Sequence, residues 1–274
     1  MPPAFELAAE SGHVLLWRGD LEDAVRHVAT AFADLPTGEA QGRAPLRRVE
    51  SASGEAYLVR PYRKGGLARG VRGERFRGRF RPLDEAVLHA ELQAAGVPVL
   101  EVGGAVVLGD EASWDGFLLT REAVGAVDVD AWLDGRDAGS HEGTSPLERA
   151  GAAVRALHEH GVEHADLHAK NLLLTPAGEV LVIDLDRARR HAAPLADEAR
   201  VRNLARFERY LVKQRAKGRA LARWTPAAFY RGYADGDDDA GQRWMARAVA
   251  QRGRLWWRSI WWRLSGQARS GEGA

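Results

Sequence analysis

The sequence predicts an α+β protein built as two lobes. One observation is the order of elements: short strands with a single helix in the first half, then helices around one short strand pair. Another is length, since 274 residues suffice for one large domain or two small lobes. A third is composition: 45% hydrophobic and 28% charged residues is the balance of a globular chain and excludes disordered or collagen-like classes.

Taken in order, residues 1–40 read as a helix-rich lead-in, with Val25, Val28, Ala29 and Phe32 at helical spacing before Pro36 and Gly38. Arg47–Glu50 and Ala56–Tyr62 read as two strands joined by a turn at 51–54. From Pro82 to Val97 the periodicity predicts an amphipathic helix, with Leu83, Val87, Leu88 and Leu92 on one face and a stop at Gly96. Val97–Leu108 and Phe117–Thr120 complete the strands. After a polar loop at 135–145, Ser145-Pro146-Leu147-Glu148 caps a helix that runs to His160. The remainder beyond Arg190 is helical in composition.

Charge and residue inventory exclude several function classes. Thirty-nine basic and 38 acidic side chains give a net charge of +1, which argues against a protein that coats nucleic acid. Without cysteine there is no disulfide framework, thiolate zinc site or cysteine nucleophile. The first residues lack a basic, then apolar, leader, and no stretch approaches 18 uninterrupted apolar residues, so the expected compartment is the cytoplasm. Within this balance Arg60–Arg81 is exceptional, with nine basic residues, one acid and interleaved glycines. Such a run is commonly a solvated face, but mobile backbone around Arg side chains also suits a phosphate-receiving groove.

The chemistry concentrates in His164-Ala-Asp166-Leu-His168-Ala-Lys170-Asn171, followed by two apolar runs about a Pro-Ala-Gly turn and then Asp184-Leu185-Asp186. A hairpin fed by one polar loop and leaving through an Asp supplies the groups that phosphoryl transfer needs: one carboxylate for the attacking hydroxyl, a second carboxylate and an amide oxygen for a metal. The spacing matches the kinase catalytic loop H-x-D-L-x-x-x-N with a following metal-binding Asp.

Beyond this loop, the chain resembles the lipopolysaccharide kinase family, within it the 3-deoxy-D-manno-octulosonic acid (Kdo) kinases. The resemblance runs from about Gly38 to Leu211 and rests on Tyr57-Leu-Val-Arg60-Pro-Tyr62-Arg63-Lys64-Gly-Gly-Leu67, on Ala95-Gly-Val-Pro98, on His158 with Gly161-Val-Glu-His164-Ala-Asp-Leu, and on Val182-Ile-Asp184-Leu-Asp186-Arg187. It implies a bilobed protein-kinase-like fold with a small, mostly β N-lobe and a reduced helical C-lobe. It also implies ATP and Mg2+ as cofactors, and phosphorylation of a Kdo sugar, at its 4-hydroxyl, on a lipid A precursor.

Carried over residue by residue, Asp166 is the expected catalytic base, and Asn171 and Asp184 are the expected Mg2+ ligands. Arg60 stands where kinases hold the α- and β-phosphates with Lys, Glu85 is its expected ion-pair partner with Glu91 the second choice, and Lys64 could share the role of Arg60. Gly42 lies in a reduced glycine-rich loop that reads equally well as a surface turn. His168 replaces the Lys that protein kinases carry two positions after the catalytic Asp, as in aminoglycoside kinases. No A-P-E motif follows Asp186, so no activation segment is expected.

The end of the chain is basic and Trp-rich. In 254–264, Trp256, Trp257, Ile260, Trp261 and Leu264 fall within an arc of about 140° on a helix, flanked by Arg. That pattern describes either a helix packed on the C-lobe or an interfacial helix at a bilayer. The expected division is therefore 1–122 N-lobe, 123–251 C-lobe and 252–274 tail. Arg63, Arg69 and Arg72 are expected at the acceptor, Trp256, Trp257 and Trp261 at the membrane. The expected partner is a lipid-linked sugar met peripherally at the cytoplasmic side of the bacterial inner membrane, with no nucleic acid. Two rivals share the motifs: another small-molecule phosphotransferase of the aminoglycoside or sugar kinase type, and a membrane-bound pseudokinase serving as an interaction module.

Overall fold

The computed structural model describes residues 5–10, 12–38, 46–62, 78–109, 113–134, 145–219, 221 and 224–268, and for 145, 224 and 254–268 the backbone alone. The chain divides into two units, Met1–Val124 with Ile183–Ala188, and Gly125–Val182 with Arg189–Ala274. The first unit is therefore not one stretch of sequence: the segment around Asp184 belongs to it.

In the first unit the chain forms β1 (Glu6–Glu10), β2 (His13–Trp17), α1 (Glu22–Ala31), β3 (Arg47–Glu50), β4 (Ala56–Tyr62), α2 (Arg81–Ala94), β5 (Val102–Gly109) and β6 (Trp114–Arg121). The strands make one antiparallel sheet in the order β1-β2-β5-β6-β4-β3. Its two faces are distinguished by the period of two along each strand. Leu15, Trp17, Val59, Val106, Phe117 and Leu119 pack with Val25 and Val28 of α1. Leu16, Ala105 and Leu118 pack with Ala86 of α2, joined by Tyr62. Burying each such aliphatic side chain contributes about 1.5–3 kcal/mol. Because Val59 faces α1, its neighbour Arg60, paired with Leu118, is delivered to the α2 face.

Helix α2 ends as its sequence suggests. Gly96 takes φ +78°, its N–H donates to Gln93 O, and Val97 N–H donates to Leu92 O at 2.9 Å, the paired bonds of a glycine-terminated helix. The hairpin β1–β2 replaces the helical start expected for residues 1–40. Its strands are short, and Leu7 is 62% exposed, so the sequence carries almost no alternation. Pairing of β2 along β5, from Val14↔Val107 to Trp17↔Gly104, defines it as a strand.

The second unit contains β7 (Val127–Asp128), α3 (Val129–Asp134), α4 (Ser145–Glu159), β8 (Val162–Glu163), β9 (Leu172–Leu174), β10 (Val180–Val182), β11 (Arg189–Arg190), α5 (Asp197–Ala216), α6 (Trp224–Tyr233) and α7 (Asp238–Ala268). Strands β10, β9 and β7 form one small sheet, β11 and β8 another. Its core comprises Leu147, Val154, Leu157, Leu204, Phe207, Phe229 and Tyr230, with Phe207 stacked on Phe229 at 4.1 Å. Helices α4 and α6 approach through glycines. A Cβ at Gly151 would collide with the Phe229 carbonyl, and one at Gly232 with the Glu148 carbonyl. The tail expected from residue 252 is continuous with α7, which starts at Asp238 with Asp237 Oδ1 accepting from Ala240 N–H at 2.9 Å. The acidic turn that precedes the tail is thus the cap of its helix.

Candidate active site

In the first unit, β4, α2 and the segment after β10 contribute an interlocked set of charges. Arg60 Nη2 donates to Glu85 Oε1 and Oε2 at 2.7 and 2.6 Å, while Nη1 donates to Asp184 Oδ1 at 2.8 Å. Glu85 is 3% exposed. Burial alone would raise its carboxyl, but His89, 3.7 Å away, and the Arg60 guanidinium hold it down at about 2. Burial opposes the charge of Arg60 too, and Glu85, Tyr62 and Asp184 together more than offset it, raising the guanidinium further. Tyr62, two residues along the same strand face, donates its hydroxyl to Glu85 Oε2. Burial and the Glu85 charge push its phenol well up, so it remains a donor.

The segment Asp184-Leu185-Asp186 is held at both ends. Asp184 sits at φ +61°, a left-handed conformation costly for most residues and best tolerated by Asp and Asn. Leu185 is 1% exposed and anchors the segment between its two carboxylates. Arg81 donates to Asp186 through Nε at 2.8 Å and also through Nη2. Guanidinium groups therefore hold each Asp, and Tyr62 lies under both cations, 4.9 Å from Arg60 and 5.4 Å from Arg81.

In the second unit, β8 leads into the loop 164–168 and a 3-10 turn, Ala169–Asn171. A buried hydrogen-bond chain fixes this loop. Asn203 Nδ2 donates to His164 O at 2.7 Å, and Asn203 Oδ1 accepts from His164 N–H and from His158 Nε2 at 3.2 and 2.9 Å. With Nε2 protonated, His158 Nδ1 accepts from Tyr233 Oη at 2.8 Å. Burial lowers His158 to about 4, so the ring is neutral, a structural member of the network. His164 Nδ1 in turn accepts from Asp166 N–H at 3.0 Å. The loop backbone is positioned while the Asp166 side chain stays 71% exposed.

Three side chains then define the exposed end of this loop. His168 Nε2 lies 3.3 Å from Asp166 Oδ2, and its ring stacks on Tyr210 at 5.1 Å. Asn171 Nδ2 donates to Asp166 O at 2.8 Å, which leaves the amide oxygen as the acceptor that points elsewhere. Leu172 pairs with Val182, so the Asn171 end of β9 is the end from which β10 leaves. Lys170 approaches Asp130 at 3.7 Å, and Asp130 is also gripped by Arg219.

Among the described residues no three His, Asp or Glu converge to hold a metal by themselves. A cation brought in by a nucleotide needs only one or two protein oxygens. In the first unit the Asp184 carboxylate is a hard donor of the kind that Mg2+ takes, and in the second unit the Asn171 amide oxygen is another.

Not every expected site residue falls within this description. Gly42, Arg63, Lys64, Arg69 and Arg72 lie outside the described residues, as do the side chains of Trp256, Trp257 and Trp261. Two residues of the site, Tyr62 and Arg81, carried no expected role, and Asp186 was expected only as part of the Asp-Leu-Asp motif. Tyr62 was accessible through the two-residue period shared with Arg60, whereas Arg81 and Asp186 are 105 positions apart and no local pattern pairs them.

The profile of the lipopolysaccharide kinase (Kdo/WaaP) family matches residues 31–233. The chain belongs to this family. Its relatives include the 3-deoxy-D-manno-octulosonic acid kinases of Xylella fastidiosa (strain M12), 32% identical over 180 residues, and of Xanthomonas campestris pv. campestris (strain B100), 33% identical over 180 residues. Both alignments cover 64% of this chain, and 69% and 68% of the respective relative. Among solved structures, WaaP in complex with acyl carrier protein superposes with a TM-score of 0.53 at 23% identity, covering 82% of this chain and 89% of that one. That likeness gives this lipopolysaccharide kinase family member an α+β kinase-like fold. No helix among its described residues is long and apolar enough to cross a membrane.

Proposed function

We propose that the protein is a Kdo kinase that transfers the γ-phosphoryl group of ATP to the 4-hydroxyl of Kdo on a lipid A precursor. The observation that carries the reading is the strand-to-helix ion pair of Arg60 and Glu85, which corresponds to the Lys–Glu pair required in kinases, in a chain whose relatives are named Kdo kinases. Family membership supports the use of ATP, and the hard oxygens of Asp184 and Asn171 support Mg2+.

In this reading Arg60 holds nucleotide phosphate oxygens, with Glu85 and Tyr62 fixing the guanidinium plane. Asp166, exposed and oriented by the bonded loop, receives the proton of the acceptor hydroxyl as its oxygen bonds to phosphorus and the bond to the ADP oxygen breaks. His168 keeps the Asp166 carboxylate in place. Bound Mg2+ would neutralise charge on the transferring group, held by Asp184 and Asn171. The lipid-linked acceptor places the enzyme peripherally at the inner membrane, and the Trp-rich end of α7 suits that surface.

Incubation with ATP, Mg2+ and Kdo-lipid A, followed by mass spectrometry, tests the assignment. One added phosphate on the Kdo sugar is expected, and nuclear magnetic resonance of the product gives the hydroxyl. No transfer to Kdo alongside transfer to a water-soluble sugar or aminoglycoside would overturn it.

A further inference from the structure

Helix α5 carries a feature that phosphotransfer itself does not use. Arg202, Arg206, Arg209 and Lys213 recur every three or four positions, so on the helix they share one stripe about 17 Å long, with Lys217 in register just past its end. Arg202, Arg209, Lys213 and Lys217 are exposed and Arg206 is half-buried. The one acid between 202 and 217 is Glu208, which is buried on the opposite side. Some exposed arginines elsewhere are matched with carboxylates, as Arg121 is with Glu55 and Arg247 with Asp197. On the stripe, Arg206 reaches Glu163 at 4.0 Å. The other four cations make no hydrogen bond or ion pair among the described residues. Uncompensated like charge along one helix destabilises it slightly, and an anionic ligand would offset that cost.

The stripe runs past the catalytic loop. Tyr210, adjacent to Arg209, stacks on His168 at 5.1 Å, and His168 lies 3.3 Å from Asp166. Burial and the neighbouring Arg206 lower the Arg209 guanidinium, and the Asp166 charge partly opposes them. A substrate laid along α5 would therefore present its reacting hydroxyl near Asp166 while its anionic groups met the cations on either side.

We propose that the α5 stripe Arg202, Arg206, Arg209 and Lys213 is a docking site for the phosphate- and carboxylate-bearing headgroup of the acceptor glycolipid. The proposal rests on the acceptor reading above and adds the surface that recognises it. Arg forks match carboxylate and phosphate oxygens pairwise, and a one-signed surface beside the reacting group orients a polyanion before chemistry.

The test uses the full chain with Arg202, Arg206, Arg209 and Lys213 all replaced by Gln, its fold checked by circular dichroism and thermal denaturation. Binding is measured to phosphatidylcholine vesicles containing diphosphoryl lipid A, Kdo-lipid A or phosphatidylglycerol. A roughly tenfold or greater loss of binding to both lipid A vesicles is expected, with a much smaller loss on phosphatidylglycerol and a wild-type advantage that shrinks as salt rises. In turnover the KM for Kdo-lipid A rises more than kcat falls, and restoring all three arginines as Lys recovers part of the loss. Unchanged lipid A binding, or an equal loss on phosphatidylglycerol, would overturn the proposal, the latter assigning the stripe to general bilayer charge. If the wild-type protein binds lipid A vesicles through the stripe yet phosphorylates no Kdo, the acceptor reading fails while the anion site stands.

Discussion

Arg60 and Asp184 are bonded at 2.8 Å although 124 positions separate them. The same guanidinium holds buried Glu85 through its other terminal nitrogen, so it joins a helix carboxylate to the carboxylate of the Asp-Leu-Asp segment. Lysine, with one compact ammonium, cannot span both partners with the same planar geometry.

Replacing Arg60 with Ala should raise the KM for ATP and also weaken the fold by about 3 kcal/mol or more, because Glu85 is left as a buried charge without its cation. Arg60→Lys should keep measurable activity. Urea denaturation of Arg60→Ala and of the double variant Arg60→Ala/Glu85→Gln checks the cause. The double variant should recover part of the lost stability.

Asp166→Ala should lower the rate by about 10²-fold or more while nucleotide affinity stays within about a few-fold, the scale of a general base. Asp184→Ala should be at least as severe and should weaken Mg·ATP binding, since it removes an oxygen donor. Nucleotide titration with and without Mg2+ beside single-turnover rates separates the two. Near-normal turnover in Asp166→Ala would remove it from the role of base.

Acidification should loosen the second unit through His158. Its folded value of about 4 lies below the ordinary 6.5, so between those values the unfolded chain binds more protons. Stability is therefore full above pH 6.5 and falls as pH drops toward 4. Between pH 7.5 and 5 the loss should be about 2 kcal/mol in urea denaturation, and His158→Gln should show a shallower dependence. Glu85, held near 2, adds its own loss only below about pH 4.5.

Gly232→Ala should destabilise the protein by about 2 kcal/mol or more, because the new methyl would meet the Glu148 backbone rather than a side chain that can turn away. Gly236→Ala is the contrasting substitution. That position is strained by φ +86° but open, so it should cost only about 1 kcal/mol. Differential scanning calorimetry of the two variants compares them.

Legibility in the sequence followed the range of the forces involved. Strands β3 and β4 and helix α2 were readable because local alternation and the Gly96 stop encode them. The Asp166–Asn171 loop was readable because its chemistry is contiguous. The β1–β2 hairpin was not, since pairing with β5 defines it rather than any pattern of its own. Arg81–Asp186 and the Tyr233–His158–Asn203 chain join positions 105, 75 and 45 apart, and a single sequence contains no record of such distances. The α5 stripe has a regular period, but only the buried placement of Glu208 reveals that its exposed side carries no acid from Arg202 onward.

The return of Ile183–Ala188 to the first unit has a consequence for biosynthesis. A ribosome makes the sheet, α1 and α2 first, then the intervening 125–182, before it reaches this last piece. At about 5–20 residues per second, the nascent first unit waits roughly 3–12 s after Val124. During that interval Arg60 can pair with Glu85, but Arg81 has no Asp186 to grip. The early chain is thus a sheet with an incomplete edge of charge, and a chain halted between Val124 and Asp184 would hold every strand of the sheet while Arg60 and Arg81 lacked their Asp184 and Asp186 partners.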